Sequence, residues 1–520
     1  MTHLKNRDHR ERSSTGQWRL RIGQERPLLV LAVVCFVRLW LMPLGSSFWV
    51  DEMATVFVVE HGAGDPSLKV APQVPQSIYY SVARAVVWGR SEIGYRLPSI
   101  LFMTLALMFV GLLARRLIHP DAWWFAIFAC FALKGINYEA ANARPYAMGM
   151  CVAAAGLYFL VRWLDAGRLW DAALFVIFAA MLWRVHLIFW PFYLVFAVYA
   201  VLRISDEAAL KGGCQMNSRP HTDGVVWWRV AIGFAVVGVL LIPVAMRAIG
   251  LNEQAKQHVV IEQPTWLNLE HSLRTLLVAA AALGAWTWSR FVKARVRPAI
   301  PASTVALILA WWLWHPLALF AFSRITGNSV FVPRYAALSL PGTAMAATLA
   351  AAWVLPSRFW RPAALIMGAC ALILFGQWTE LWPPHHNSDW RAAALAVNEL
   401  ALTPATPVIC PSPFVEARPP AWTPDYKMPG FLYAHLLVYP LRFGNVVLFP
   451  FATSPEAEDY ATALVDGAIP AAGRFVIYGG NGQAHFWSDW FEKRPELAGW
   501  SHRSLGSFRD VEVVLFERVR

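Results

Sequence analysis

Residues 27–62 read PLLVLAVVCFVRLWLMPLGSSFWVDEMATVFVVEHG. Up to Gly45 the run is apolar apart from a few residues such as Arg38, and ~20 apolar residues are what a helix needs to cross a bilayer. Shortly after it come Asp51 and Glu52. Acids are costly in the partly dry zone beside a membrane, so a pair of them there needs a reason. The pair sits where a first span hands over to its first loop, which points to chemistry at the membrane face. The competing reading is two acids at a helix N-terminus, favoured by the helix dipole.

The rest of the chain has the same character. Of its 520 residues, 57% are hydrophobic and 15% charged, with a mean hydropathy of +0.43. Phe, Trp and Tyr make up 14%, with 27 Trp, as expected where aromatic belts mark the membrane interfaces. This composition excludes an ordinary soluble domain and fits a polytopic membrane protein. The net charge is +12, but no basic stripe with interleaved aromatics appears, so no nucleic-acid partner is expected. Of the cysteines Cys35, Cys130, Cys151, Cys214, Cys370 and Cys410, most lie in apolar segments, and no disulfide framework is implied.

The apolar runs predict about eleven membrane helices, near 27–45, 97–114, 121–135, 145–162, 170–183, 187–203, 228–247, 270–289, 300–322, 336–355 and 362–380; the third and fifth are short. Residues 1–26 are polar and basic, and no small-residue site closes the apolar run after them, so they are not a cleavable signal. Arg115, Arg116, Arg162, Arg168, Lys211, Arg219, Arg290, Lys293, Arg295, Arg297, Arg358 and Arg361 fall in alternate loops on the side of that basic N-terminus. The excess of Lys and Arg makes this side cytoplasmic. The first outer loop, 46–96, holds two apolar stretches too short to span, 48–62 and 76–89, with Pro72 and Pro75 between them. They read as helices lying in the interface plane. Residues 27–380 thus form the membrane part, and residues 381–520 an extracytoplasmic domain. There Ser388 is placed to cap a helix DWRAAALAVNELA, and TPVIC, NVVLF, RFVIYGG and VEVVLFERV read as strands of a small α/β domain.

Several motifs recur in a telling order: the acidic pair in a long first loop, Arg-Pro-Tyr in YEAANARPYAMG, Arg-Tyr in FVPRYAALSLPG and Asp-Trp-Arg in HNSDWRAAA. In this order and topology the whole chain resembles the glycosyltransferase C superfamily, specifically bacterial family-39-like membrane transferases, whose relatives include protein O-mannosyltransferases and aminoarabinose transferases. The resemblance implies an inner-membrane enzyme that moves a sugar, with inversion, from a polyprenyl-phosphate carrier to a lipid, glycan or protein acceptor at the outer face.

That chemistry needs a base for the acceptor's proton, cationic donors for the departing phosphate, and a groove for an apolar tail. Asp51 is the expected base, with Glu52 orienting it or the acceptor. Arg144 precedes Pro145, which is suited to the first turn of a helix, and Arg144, Arg334 and Tyr335 are the expected phosphate ligands; Arg324 is a weaker one. An interfacial, snorkelling Arg334 and a belt Tyr335 are the competing readings. The resemblance puts an acid at position 142, where this chain has Asn142; Glu139 either replaces it or is a solvated loop acid. Tyr146, His186 and Tyr79 complete the expected substrate lining, and Lys69 is the one basic residue near the Tyr79-Tyr80 pair. Arg184, beside His186 in an apolar run, should face a cavity or mark a break in the helix. His315 reads as structural. No cofactor is certain; a divalent metal stays open, and the adjacent His385 and His386 are metal-capable but lack further ligands. A transporter or flippase of lipid-linked sugar, or a non-catalytic relative, is the alternative function; no internal repeat of the kind transporters often carry is evident.

Overall fold

A computed structural model of the chain describes residues 25–87, 89–212, 227–256, 262–292, 300–426 and 430–519. The basic residues expected before residue 25, together with Arg219, Lys293, Arg295, Arg297 and Cys214, lie outside the described residues, as does the side chain of Lys211.

The chain opens with α1 (Glu25–Gly45), followed by α2 (Val50–His61), α3 (Ile78–Val86), α4 (Glu92–Leu117), α5 (Trp123–Phe131), α6 (Lys134–Ala140), α7 (Tyr146–Ala166) and α8 (Leu169–Val185). It continues with α9 (Tyr193–Gly212), α10 (Trp227–Lys256), α11 (Trp266–Leu273), α12 (Thr275–Val292), α13 (Ala302–Thr326), α14 (Leu340–Ala352), α15 (Trp360–Phe375) and α16 (Trp390–Glu399). Among the described residues nine helices are long and apolar enough to cross a membrane. The two remaining expected spans are the short ones: α5 has 9 residues and α8 has 17. At 1.5 Å per residue, α5 covers about half of a ~30 Å hydrocarbon core, and α6 carries the chain onward to the site.

The two short stretches of the first loop are the helices α2 and α3. The second span starts earlier than its apolar run, because Ser91 accepts from the Gly94 amide and caps α4. That extension draws Arg96 into the helix. Helices α13 and α14 cross at backbone contact: a Cβ on Gly342 would lie 2.6 Å from the Trp311 carbonyl carbon. The basic loops gather at one end, where Asp165 pairs with Arg116 at 2.8 Å and Arg203 at 3.3 Å, and Asp171 with Arg162 at 3.1 Å. The motif-bearing segments gather at the other end.

The C-terminal part is a five-stranded sheet in the order β2-β1-β3-β5-β4. It comprises β1 (Pro407–Pro411), β2 (Asn445–Phe449), β3 (Arg474–Gly480), β4 (Trp500–Phe508) and β5 (Val511–Arg518). Strands β1, β2 and β3 are parallel, while β5 and β4 run antiparallel at one edge. Strand β4 was not expected: WSHRSLGSF is mostly exposed, as an edge strand can be, and shows no apolar alternation. The cap of α16 is Asp389, one residue after the expected Ser388; its carboxylate accepts from the Ala392 amide at 3.0 Å.

Two arginines fasten this domain to the bundle. Arg391 reaches Glu92 at 2.9 Å and the Gly45 carbonyl at 3.0 Å. Arg38, deep in the first span, donates to the carbonyls of Gly376, Gln377, Glu380 and Leu381 at 2.6–2.7 Å. It satisfies orphan carbonyls beyond the end of α15 and grips the segment leading to the sheet.

Candidate active site

Asp51 stands in the first turn of α2. Its Oδ2 lies 3.3 Å from Arg334 Nη2 and 3.9 Å from Arg144 Nη2. Arg144 Nη1 also donates to the Asp51 carbonyl at 2.9 Å and to Tyr80 Oη at 3.4 Å. The expected base and both expected phosphate arginines, far apart in sequence, therefore meet. Asp51 Oδ2, the Nε of each arginine and Tyr146 Oη are buried and make no hydrogen bond. Polar atoms so placed call for a functional explanation.

Below them the rings of Tyr146, His186 and Tyr335 pack together, His186 lying 5.6 Å from Tyr146 and 5.3 Å from Tyr335. Burial drives His186 down to about 3, so it is neutral and adds no positive charge. His315 is buried beneath, its Nε2 3.0 Å from the Tyr335 carbonyl and its Nδ1 without a hydrogen bond. Helix α8 does stop before His186, but Arg184 turns to the carbonyls of Ala180 and Leu240 instead of a cavity. Arg324 and Lys69 are exposed.

Two expected site residues are engaged elsewhere. Glu52 is fully buried and grips Arg96, at 2.7 Å to Nε and 2.5 Å to Nη2. It also accepts from the amides of Ala143 at 2.8 Å and Trp49 at 3.3 Å. Glu52 therefore holds the 143–144 backbone against α2 and has no free face for an acceptor. Tyr79 is likewise buried, its hydroxyl 3.0 Å from Ser99 Oγ; its neighbour Tyr80 is the tyrosine that reaches Arg144.

On the other side of Asp51, Asn142 is a hinge between two groups. Its Nδ2 donates to Glu139 Oε2 at 2.9 Å and its Oδ1 accepts from Trp49 Nε1 at 3.2 Å. Glu139 is buried, and loss of hydration raises it to about 8, so the carboxyl is protonated near neutrality. It occupies the neighbourhood of the missing acid without its charge. The residues present do not fit a divalent cation: Asp51 faces two guanidinium groups, Glu52 is closed by Arg96, and Glu139 is bonded to Asn142. His385 and His386 do not converge either. The first stacks on Tyr138 at 4.5 Å and the second on Trp49 at 4.7 Å.

Arg96, Trp49, Tyr80, Tyr138 and His386 enter the site without having been expected in it. Arg38 carried a readable signal, since an arginine inside an apolar run needs partners, whereas Arg96 stands just before its run.

No family model matches the chain, and no curated protein matches it. Solved structures do share the fold. ArnT from Cupriavidus metallidurans in the apo state superposes with a TM-score of 0.51 at 14% identity, covering 94% of this chain and 97% of that one. ArnT from Cupriavidus metallidurans bound to undecaprenyl phosphate gives 0.50 at 13%, covering 94% and 98%. The chain thus has the fold of ArnT, a polytopic helical membrane fold with a small C-terminal sheet domain, as expected.

Proposed function

We propose that the protein is a membrane glycosyltransferase that moves a sugar from a polyprenyl-phosphate carrier to an acceptor hydroxyl at the outer face of the inner membrane. The observation that carries this reading is the convergence of Arg144 and Arg334 on Asp51 beside the mouth of an apolar helix bundle. ArnT is a glycosyltransferase, and its complex with undecaprenyl phosphate supports a polyprenyl-phosphate donor for a chain of the same fold.

In this reading the lipid phosphate takes the two guanidinium groups through charge-assisted hydrogen bonds. It competes for them with Asp51, whose Oδ2 they approach only at 3.3 and 3.9 Å. Donor binding thereby draws the arginines off the carboxylate and frees its lone pairs for the acceptor. The acceptor oxygen attacks the anomeric carbon from the face opposite the phosphate, and the carbon–oxygen bond to phosphate breaks. The hydroxyl proton passes to Asp51, and the lipid phosphate leaves as the anion held by Arg144 and Arg334. One displacement of this kind inverts the anomeric centre. Asp51 acts as general base, a role worth about 10²–10⁴-fold in rate.

The test is Asp51→Asn in the purified full-length protein, with membrane lipid extract as donor source and transfer followed by mass spectrometry. Transfer should be lost while polyprenyl phosphate binding stays. Transfer at the wild-type rate would remove Asp51 from the base role. Movement of lipid-linked sugar across vesicles by a wild type that never transfers sugar would favour the transporter.

A further inference from the structure

The His385-His386 segment leads into the C-terminal domain, yet it lies against the site. The His386 ring is parallel to the Trp49 indole, at 4.7 Å and an angle of 6°. The guanidinium carbon of Arg334 stands 5.5 Å from the centre of that same indole and 5.6 Å from Tyr335. Arg334 has few other restraints: one ion pair to Asp51 at 3.3 Å, and an Nε without a hydrogen bond. The two aromatic faces therefore do much of the work of aiming it.

Trp49 is itself held at its edge by one side-chain hydrogen bond, Nε1 to Asn142 Oδ1 at 3.2 Å. Besides that bond the indole has an edge contact with the Tyr138 ring at 6.4 Å, and the ring stacked on its face is what holds it against tipping. His386 is in turn fixed by the C-terminal domain. Its Nδ1 lies 3.2 Å from Ser388 Oγ, and its carbonyl accepts from Arg509 at 3.4 Å. Next to it, Asn387 and Asp510 exchange two bonds, at 2.7 and 2.8 Å. Arg509 and Asp510 form the turn between β4 and β5.

We infer that His386 is a positioning residue: through Trp49 it sets the phosphate-binding arginine Arg334, so that the C-terminal domain tunes the donor site without touching the donor. The inference rests on the proposed function, since it takes Arg334 to bind the donor phosphate. A flat ring is what the stack requires, and the imidazole contributes no chemistry of its own.

The test is undecaprenyl phosphate binding to the full-length protein in detergent, for wild type, His386→Ala, His386→Phe, Arg334→Ala and the double variant His386→Ala/Arg334→Ala. Because a cation over an aromatic face is a modest attraction, His386→Ala should weaken binding by about three- to tenfold. His386→Phe, which keeps the ring, should stay within about twofold of wild type. Arg334→Ala should weaken binding further, and adding His386→Ala to it should change nothing more, as expected of two residues acting through one another. Unchanged binding by His386→Ala overturns the inference, and so do losses that add in the double variant. A His386→Ala protein with a lowered Tm and a His386→Phe protein equally weakened would show a merely structural role and also overturn it. A wild type that does not bind undecaprenyl phosphate removes the proposed function, and the inference falls with it.

Discussion

Asp51 and Glu52 start the same helix, each faces arginine, and the two environments are built in opposite ways. Around Glu52 everything is closed. The side chains of Glu52 and Arg96 are both fully buried, and Arg96 Nη1 adds bonds to the carbonyls of Leu44 and Ser46, each at 2.8 Å. Around Asp51 the contacts are long, the side chains of Asp51 and Arg334 are 22% and 31% exposed, and both arginines keep an Nε without a hydrogen bond. A saturated pair holds a shape, whereas an unsaturated one has capacity left for a ligand. The closed clasp also serves the open site, because Glu52 accepts from the amide of Ala143, next to Arg144.

The strongest way to break this contrast is to remove one arginine from each side. Arg96→Ala strands a buried carboxylate, which costs about 3–5 kcal/mol. Its Tm in detergent should fall steeply or the protein should fail to accumulate. Arg334→Ala loses a half-open pair, worth about 0–1 kcal/mol, so its Tm should stay near that of wild type. Equal losses in the two variants would mean that the Asp51 cluster is a structural clasp as well.

A smaller effect separates Glu139 from Asp51. Burial raises Glu139 from an ordinary 4.5 to about 8. Between these values the folded chain holds a proton that the unfolded chain has lost. The stability from this group is therefore complete below about 4.5 and is lost as pH rises through 8, at no more than about 1.4 kcal/mol per pH unit. Glu139→Gln should flatten the decline of Tm between pH 5 and 8. It should also abolish an alkaline loss of undecaprenyl phosphate binding, which wild type should show once a second negative charge appears beside the proposed donor site. Identical pH profiles for the two proteins would mean that Glu139 is ionised throughout, and the site would then hold two carboxylates.

What could be read from the sequence was whatever local pattern determines. Apolar length gave the long spans, and it gave α2 and α3 as segments too short to cross. The order of Asp51, Arg144 and Arg334, which carried the family resemblance, named three residues that the structure brings together. Long-range geometry was not readable. Glu52 differs from Asp51 by one position, about 100° around the helix, and only the placement of Arg96 decides which of them is sealed. The Trp49–His386 stack joins residues 337 positions apart, an arithmetic difference of their numbers. No periodicity in either segment announces it. Asn142 was visible as a departure, but its role in linking Glu139 to Trp49 depends on how the turn before α7 folds.

The same one-position ambiguity governs Tyr79 and Tyr80, and it yields the finest test of the contrast. The Tyr79 hydroxyl bonds Ser99 Oγ at 3.0 Å, and that hydroxyl lies 3.4 Å from the Arg144 carbonyl. Tyr80 instead accepts from the Arg144 guanidinium at 3.4 Å. Tyr79 thus belongs to the closed frame and Tyr80 to the open site. One buried neutral hydrogen bond is worth about 1 kcal/mol, so Tyr79→Phe should lower Tm slightly and leave the Kd for undecaprenyl phosphate unchanged. Tyr80→Phe releases one donor of Arg144. If that donor turns to the phosphate, affinity rises; if Tyr80 was aiming it, affinity falls. The 3.4 Å bond is long, while the Arg144 bond to the Asp51 carbonyl, at 2.9 Å, already fixes the side chain. Aiming is therefore the smaller contribution, and a rise in affinity of about two- to fivefold is expected. A change in Kd for Tyr79→Phe with none for Tyr80→Phe would exchange the two roles and return Tyr79 to the substrate lining.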